Sequence, residues 1–426
     1  MKHTLLLFAV AAASVVLASC GYNANASAKP AEPEEEYETT EELVVEPCEI
    51  QLSEQQQTFV NDNNAFTLKF LKTIDAEDKS GKSFVFSPLS ITYALSMVNA
   101  AAEGATEREL EETLGFREGG IKAVNEFCKT LIDSLPLVDE KVQLNIANAI
   151  FVNKYYHLLK PYQKDMQKYF DAKAESLDFS SQKSLNRING WCNKKTKGMI
   201  PTILGELNPD AVSYLLNAIY FKAEWSDPFE KDFTRDEEFA TAHGAKMLPL
   251  MHQTRDYRYM KNNTFAAVDM PYGNGRWSMT VMLPHEGKST DDVIDYLAKN
   301  GMSFADDFRR QKVNLKLPRF ETSSSTDDLI GTMKKMGLNR VFGSSAEIPN
   351  MCNTNVLISM MLQKARIKVD ERGSEAAAVT VVMMEKLSAP VQREEPVVFH
   401  AKRPFVYLIS EASTGVILFV GKFTGE

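Results

Sequence analysis

The chain has 426 residues, of which 44% are hydrophobic and 25% are charged, so it can bury a sizeable core, and its length alone would permit two or three domains. Its formal net charge is −9, but the stretch 31–50 holds nine glutamates without a lysine or arginine, so the remainder is close to neutral. This balance excludes a nucleic-acid-binding protein, which needs clustered basic surface.

The first twenty residues have the pattern of a bacterial lipoprotein signal peptide. Met1-Lys2-His3 is a short basic start, residues 5–16 are apolar, and Leu17-Ala18-Ser19-Cys20 resembles a lipobox. A membrane-spanning helix is the rival interpretation, but the apolar stretch is shorter than the roughly 20 residues that a span needs. We therefore predict a signal peptide over residues 1–19 and lipid attachment at Cys20, in preference to simple secretion.

Residues 20–52 are predicted to be an acidic, disordered tether. Their composition is mainly Ala, Asn, Ser, Glu and Pro, which is typical of segments that cannot bury a core. We interpret the glutamates as a solvated spacer and not as a metal site, because they lack calcium-loop spacing. The protein is thus expected at the bacterial cell envelope, on the periplasmic or surface side of the outer membrane. It would contact the membrane only through its N-terminal lipid.

Helical patterns come next along the chain, and most strand patterns follow them. Ser53-Glu54-Gln55-Gln56 is a capping box before an apolar stripe, and Pro88 after Ser87 predicts the first turn of a second helix. Several strand candidates are apolar on both faces, as in sheet interiors. The candidates are 146–152, 212–222, 277–283, 313–320, 397–399, 405–409 and 416–420. This order favours an α+β fold with large sheets covered by helices on one side.

Residue types of catalytic and metal sites occur without the spacing that such sites need. The six histidines form no His-Glu-x-x-His helix and no part of a Gly-x-Ser-x-Gly elbow. Gly273-Asn274-Gly275 is predicted as a turn between strands. No disulfide or zinc site can be deduced from the wide spacing of Cys48, Cys128, Cys192 and Cys352, and Cys128 and Cys192 fall in helical patterns that predict burial. We predict no catalytic activity, no cofactor and no bound metal.

The run 370–380 is the most informative part of the chain. Gly373 provides a flexible pivot, and the small side chains after it share one face under the two-residue strand period, namely Ser374, Ala376, Ala378 and Thr380. Such a segment is suited to enter between two packed strands. Glu-Ala-Ala-Ala is also good helix material, and ordinary strands contain small residues too. The strand pattern resumes only at residue 397, and a connection of this length is usually functional or disordered.

Together with other motifs, this run resembles the serpin family over residues 53–426. The other motifs are Phe86-Ser87-Pro88-Leu89-Ser90-Ile91, Leu216-Asn217-Ala218-Ile219-Tyr220-Phe221-Lys222 running to Trp225, Arg403-Pro404-Phe405, and Phe419-Val420-Gly421-Lys422-Phe423. Five motifs in order are a specific signal, whereas one alone would be weak. The resemblance implies a single α+β domain with three β-sheets, eight to nine helices and an exposed reactive-centre loop at about 371–396.

The resemblance also implies the function of an irreversible suicide-substrate inhibitor of serine endopeptidases, and possibly of cysteine endopeptidases. A protease would cleave the loop and be trapped as a covalent acyl-enzyme when the cleaved loop inserts into the main sheet. The implied hinge residues are Glu371, Gly373, Ser374, Glu375, Ala376, Ala377, Ala378 and Thr380. The implied shutter and breach residues of the sheet are Ser87, Ser90, Asn217, Gln363 and Trp225. Gln363 stands where the family often carries a histidine, so its hydrogen bonds must be built differently.

Counting from Glu371 as the family does puts the reactive bond between Leu387 and Ser388, with Lys386–Leu387 as the alternative. The first frame predicts chymotrypsin-, elastase- or subtilisin-like targets, and the second a trypsin-like target. We expect a monomer that binds no nucleic acid. The alternative function is a non-inhibitory serpin that acts as a surface binding or structural protein, and a surface hydrolase is a distant third.

Overall fold

A computed structural model describes residues 49–116, 118–326, 329–374 and 395–426. The predicted signal peptide and nearly all of the tether lie outside the described residues, as does the run 375–394. The described residues belong to one compact unit, Pro47–Glu426.

Eight α-helices lie in the described part of the chain, and the predicted helix starts are confirmed. They are α1 (Glu54–Glu77), α2 (Pro88–Asn99), α3 (Gly104–Leu114), α4 (Gly120–Ser134), α5 (Lys160–Phe170), α6 (Gln182–Lys195), α7 (Thr290–Asn300) and α8 (Ile330–Lys335). Ser53 and Gln56 form the reciprocal capping box of α1, which satisfies two backbone donors at that helix end. Pro88 is the first residue of α2, where a missing N–H costs nothing.

Fifteen strands lie in the same described residues. They are β1 (Phe84–Phe86), β2 (Gln143–Asn153), β3 (Lys173–Leu177), β4 (Ser213–Glu224), β5 (Arg235–Thr241), β6 (Gly244–Lys261), β7 (Phe265–Tyr272), β8 (Trp277–Pro284), β9 (Arg309–Pro318), β10 (Phe320–Thr326), β11 (Met360–Asp370), β12 (Gly373–Ser374), β13 (Val397–His400), β14 (Phe405–Glu411) and β15 (Ile417–Phe423). The residues Gly273 to Arg276 form the predicted turn between β7 and β8.

The strands form two hydrogen-bonded networks. The smaller has the order β10-β11-β12-β4-β2-β3, and the larger has the order β1-β15-β14-β8-β7-β6-β9-β13 with β5 paired to β6. The long strand β6 pairs with β5 and β9 along most of its length and with β7 at its end, so it joins two parts of the larger network. Counting these parts separately gives the three sheets of the predicted α+β fold.

Two details of the predicted architecture are wrong. The strand expected at 313–320 begins earlier and ends at Pro318, because proline has no N–H to continue the ladder, and Phe320 opens a strand of the other network. Helices also cover both faces of the six-stranded sheet and not one. Its outer face packs on α6 in a small core that contains Phe151, Leu216 and Ile188, while its inner face belongs to the main core with the larger network.

The described cysteines are Cys128, Cys192 and Cys352, and each is buried and unpaired. Burial raises the pKa of the Cys128 thiol to about 12, so it remains protonated and unreactive. The predicted burial of Cys128 and Cys192 is therefore confirmed. Among the helices of the described ranges, none combines the length and the apolar character that crossing a bilayer requires.

Candidate functional site

In the six-stranded sheet, the short strand β12 lies between β4 and β11 at one end only. The chain leaves β11, reverses at Glu371 and Arg372, and returns as the two-residue strand β12. Ser374 pairs antiparallel with Val369 on one side and with Ala223 on the other. Beyond this point β4 and β11 pair directly and in parallel, from Tyr214–Met360 to Ile219–Ala365. We call this direct pairing the β4–β11 seam.

Gly373 occupies a conformation that other residues rarely adopt. Its φ is +150°, and a Cβ atom built on it would lie 2.1 Å from the carbonyl oxygen of Ala223. The backbone of the preceding turn is bonded to β4 and its continuation, since the Trp225 N–H donates to the carbonyl of Arg372 at 2.6 Å. Glycine is therefore required where β12 enters the sheet.

The side chain of Ser374 is fully buried and faces the larger network. Its hydroxyl lies 2.8 Å from the Tyr272 hydroxyl, and the Tyr272 ring stacks on Trp225 with centroids 4.2 Å apart. Burial raises the pKa of Tyr272 far above its usual value, so its hydroxyl stays neutral. Trp225 also donates its Nε1–H to the carbonyl of Asp370 at 3.0 Å. These contacts form a floor beneath β12 that accepts a small side chain.

Glu371 is a charged residue in the turn that precedes β12, and only 2% of its surface is exposed. Its Oε1 accepts hydrogen bonds from Thr234 at 2.8 Å and from Arg319. Burial opposes ionisation of the carboxyl group, but these two bonds outweigh it and hold the pKa of Glu371 below its usual value. The Glu371 carbonyl accepts from the Phe229 N–H at 2.7 Å. The turn before Gly373 is thus fixed at both backbone and side chain.

A buried network of hydrogen bonds crosses the β4–β11 seam at its middle. Gln363 accepts from the Ser87 N–H at 3.0 Å, and its Nε2 donates to the Ser87 carbonyl and to Asn217 Oδ1, each at 2.9 Å. Asn217 in turn donates to Asn148 Oδ1 on β2 at 2.8 Å, and the Ser87 hydroxyl donates to Ser90 at 3.2 Å. We call these five residues the seam network. It joins the start of α2 to three strands.

The glutamine has both donors and its acceptor engaged in this network, so its amide orientation is fixed. Ser87 occupies the N-cap position of α2, but its side chain makes no capping bond to the helix backbone. The seam network therefore stabilises the direct pairing of β4 with β11. Separating these strands would break the bond between Gln363 and Asn217.

The structure thus brings the described site residues into two clusters. Ser87, Ser90, Asn217 and Gln363 meet at the seam, while Glu371, Gly373, Ser374 and Trp225 meet around β12. Cys20 and the predicted residues Glu375, Ala376, Ala377, Ala378, Thr380, Lys386, Leu387 and Ser388 lie outside the described residues. Their roles stay predictions.

Sequence reasoning did not identify four partners of these clusters, namely Asn148, Tyr272, Thr234 and Arg319. Asn148 was detectable as the one polar residue inside the predicted strand 146–152. Such a buried amide needs a polar partner. The other three carry no local signal, because their contacts span more than fifty residues of chain.

Comparisons with known proteins agree with this geometry. The family model described as Serpin (serine protease inhibitor) matches residues 61–425. The chain is 31% identical over 371 residues to an uncharacterized serpin-like protein of Thermococcus kodakarensis, covering 86% of each chain. It is 29% identical to the leukocyte elastase inhibitor of Sus scrofa, covering 85% of this chain and 98% of that protein. The native structure of the thermophilic serpin tengpin is similar with a TM-score of 0.79 at 26% identity, covering 88% of this chain and 96% of that one.

Proposed function

Because the chain belongs to the serpin family, whose members are generally irreversible protease inhibitors and not enzymes, we propose that it is a suicide-substrate inhibitor of serine endopeptidases. The target would cleave a bond within the loop that follows residue 374 and would form an acyl-enzyme with the loop. The cleaved segment would then insert into the six-stranded sheet and carry the attached protease with it. Cysteine endopeptidases, which also form acyl-enzymes, are a further target class to be tested.

The position of β12 is the observation that carries this proposal. Gly373 and Ser374 already pair with both β4 and β11, so a strand that continued in the same register would open the seam. Ala376 would then lie between Phe221 and Ile367, and Thr380 between Asn217 and Gln363. In this register the small side chains face the core, as Ser374 does.

Insertion would convert one direct pairing into two. About ten residues would gain ladder bonds on both edges and would replace the six residue pairs of the seam. At roughly 0.5–1.5 kcal/mol net per hydrogen bond, the gain is on the order of 10 kcal/mol. The uncleaved inhibitor is therefore expected to be metastable and protected by a kinetic barrier. The seam network, which must break before the new strand enters, is a source of that barrier.

The bond that the target cleaves is proposed to be Leu387–Ser388, with Lys386–Leu387 as the alternative. The first bond fits chymotrypsin-, elastase- or subtilisin-like proteases, and the second a trypsin-like protease. Mass spectrometry of the C-terminal fragment released from the complex separates them. A fragment that begins at Ser388 supports the first bond, and one that begins at Leu387 supports the second.

A direct test is the formation of a complex that survives a denaturing gel after the full chain is mixed with each of these proteases. A matched pair of variants tests the mechanism, because Ala376→Glu would place a charge toward the core and Ala377→Glu would place it outward beside Arg366. We expect Ala376→Glu to be cleaved without trapping, and Ala377→Glu to trap as the wild type does. Equal trapping by both variants would contradict the proposed register.

The alternative, a non-inhibitory binding or structural protein, is the outcome if every protease cleaves the loop without a covalent complex. The proposal includes attachment to the bacterial cell envelope through a lipid on Cys20, supported by the lipobox pattern of residues 17–20. Metabolic labelling with palmitate should mark the wild type and not the Cys20→Ser variant. Labelling of both proteins would refute the anchor.

A further inference from the structure

Two histidines on the strands that flank β9 share one hydrogen-bond acceptor on β9, and one of them lies on the strand that follows the loop. The Nε2 atoms of His252 on β6 and His400 on β13 lie 3.0 and 3.1 Å from the same Oδ1 of Asn314 on β9. An amide oxygen only accepts, so both imidazoles must donate to it through Nε2. The three side chains thus connect three adjacent strands of the larger network.

The strand held by this contact is weakly attached otherwise. β13 has four residues, and among the described strands it pairs only with β9, in parallel. Phe399 is its one fully buried side chain, while Val397 is half-buried and Val398 is exposed. A short edge strand of this kind has few bonds that resist its detachment. The hydrogen bond from His400 to Asn314 is therefore a large part of its side-chain attachment.

The charges around the two imidazoles are mostly positive. Lys316 on β9 lies directly between His400 and His252 in the strand register, and Lys402 follows β13. Glu237 on β5 is the nearby acidic group, and it is already paired with both lysines. Burial first, and then the two lysines, hold the pKa of His400 below its usual value of 6.5, against the opposing charge of Glu237.

We propose that His400, through the acceptor on Asn314 that it shares with His252, is a positioning residue that holds β13 to the sheet at neutral pH and loosens it in acid. A second proton on the His400 imidazole would put a further positive charge beside Lys316 and Lys402. The attached state resists this protonation, whereas the detached strand accepts it freely. Attachment is thus complete above the ordinary histidine pKa and is lost progressively below it.

The size of the effect follows from the same equilibrium. At about one pH unit below the ordinary pKa, a detached imidazole is protonated about tenfold more often than it is neutral. Detachment is then favoured by up to about tenfold through His400. β13 lies at the edge of the larger network, so we expect local opening of this strand and not global unfolding.

Hydrogen exchange of the full chain at about pH 7.5 and about pH 5.5 tests this inference. The backbone protection factors of residues 398–401 should fall by up to about tenfold at the lower pH, while those of β8 should not change. A double His252→Gln/His400→Gln variant keeps amide donors that do not titrate, so its protection should change less than twofold. His157→Gln, which alters an exposed histidine elsewhere, should behave as the wild type.

Equal protection of the wild type at both pH values, or the same fall in the double glutamine variant, would overturn the inference. NMR titration provides a second readout, since a folded-state pKa of His400 at or above that of an unfolded peptide also contradicts it. These measurements need no protease. The further expectation that inhibitory capacity decays faster in acid rests on the proposed function, so the two can fail separately.

Discussion

Replacing Gln363 by methionine tests whether the seam network keeps the protein in its active state. Methionine has a similar volume but is apolar, so packing is largely retained while three hydrogen bonds to Ser87 and Asn217 are lost. At about 1 kcal/mol each, their loss destabilises the native state by about 3 kcal/mol. In the proposed inserted state Thr380 would separate Gln363 from Asn217, so the bond between these two residues must break before insertion. Its prior loss should lower the barrier to spontaneous insertion by about 1 kcal/mol.

A barrier lower by about 1 kcal/mol corresponds to a rate about fivefold higher. The assay follows the loss of inhibitory capacity during incubation at constant temperature, by titration of aliquots against a fixed amount of protease. The lost fraction should gain heat resistance at the same rate. Gln253→Met is the matched control, because Gln253 is also buried and hydrogen-bonded but lies in β6, away from the seam. Decay of Gln363→Met at the wild-type rate, or at the rate of this control, would refute the role of the network.

Three further predictions concern the entrance to the sheet. Gly373→Ala should cost about 1–3 kcal/mol from its backbone conformation alone and more from overlap with the Ala223 carbonyl. Gly337→Ala, whose φ is also positive at +111° but lies in open space, should cost only the first part in urea unfolding. Glu371→Gln should destabilise the protein at neutral pH. Because the folded-state pKa of Glu371 is depressed, the difference in unfolding free energy between variant and wild type should shrink as the pH falls below 4.5. An unchanged difference would count against a stabilising ion pair with Arg319. In the proposed register Glu375 would insert beside Lys222. Glu375→Lys should therefore raise the number of inhibitor molecules consumed per protease trapped, and adding Lys222→Glu should lower that number again. Independent, additive effects of the two changes would contradict the register.

Local sequence signals predicted the elements that are stabilised by interactions between neighbouring residues. The capping box at Ser53 and the helix start at Pro88 depend only on neighbours within one turn, and both occur where the sequence predicts them. Apolar runs likewise predicted the interior parts of β2, β4 and β8, because a strand buried on both faces is mostly apolar. The family resemblance rested on short motifs of the same kind, and it predicted the fold.

The partners of the site residues were decided by contacts between distant segments. Gln363 departs from the family pattern, and its sequence position does not reveal that it would reach the backbone of Ser87 from another element. Asn148 joins the network only because β2 pairs with β4 in a register that sets Asn148 opposite Asn217. Register depends on the whole sheet, so no local pattern predicts such a pair.

By itself, the sequence determined where α1 and α2 begin, the positions of several strands, and that the face beginning at Ser374 is small, because these properties follow from the pattern and size of neighbouring side chains. The tertiary structure decided that β12 lies between β4 and β11, that Tyr272 and Trp225 form the floor beneath it, and that a fixed chain of amides crosses the seam. The physical reason is that hydrogen bonds and ring contacts depend on distances of a few ångströms between residues far apart in the chain. Those distances exist only once both networks have folded.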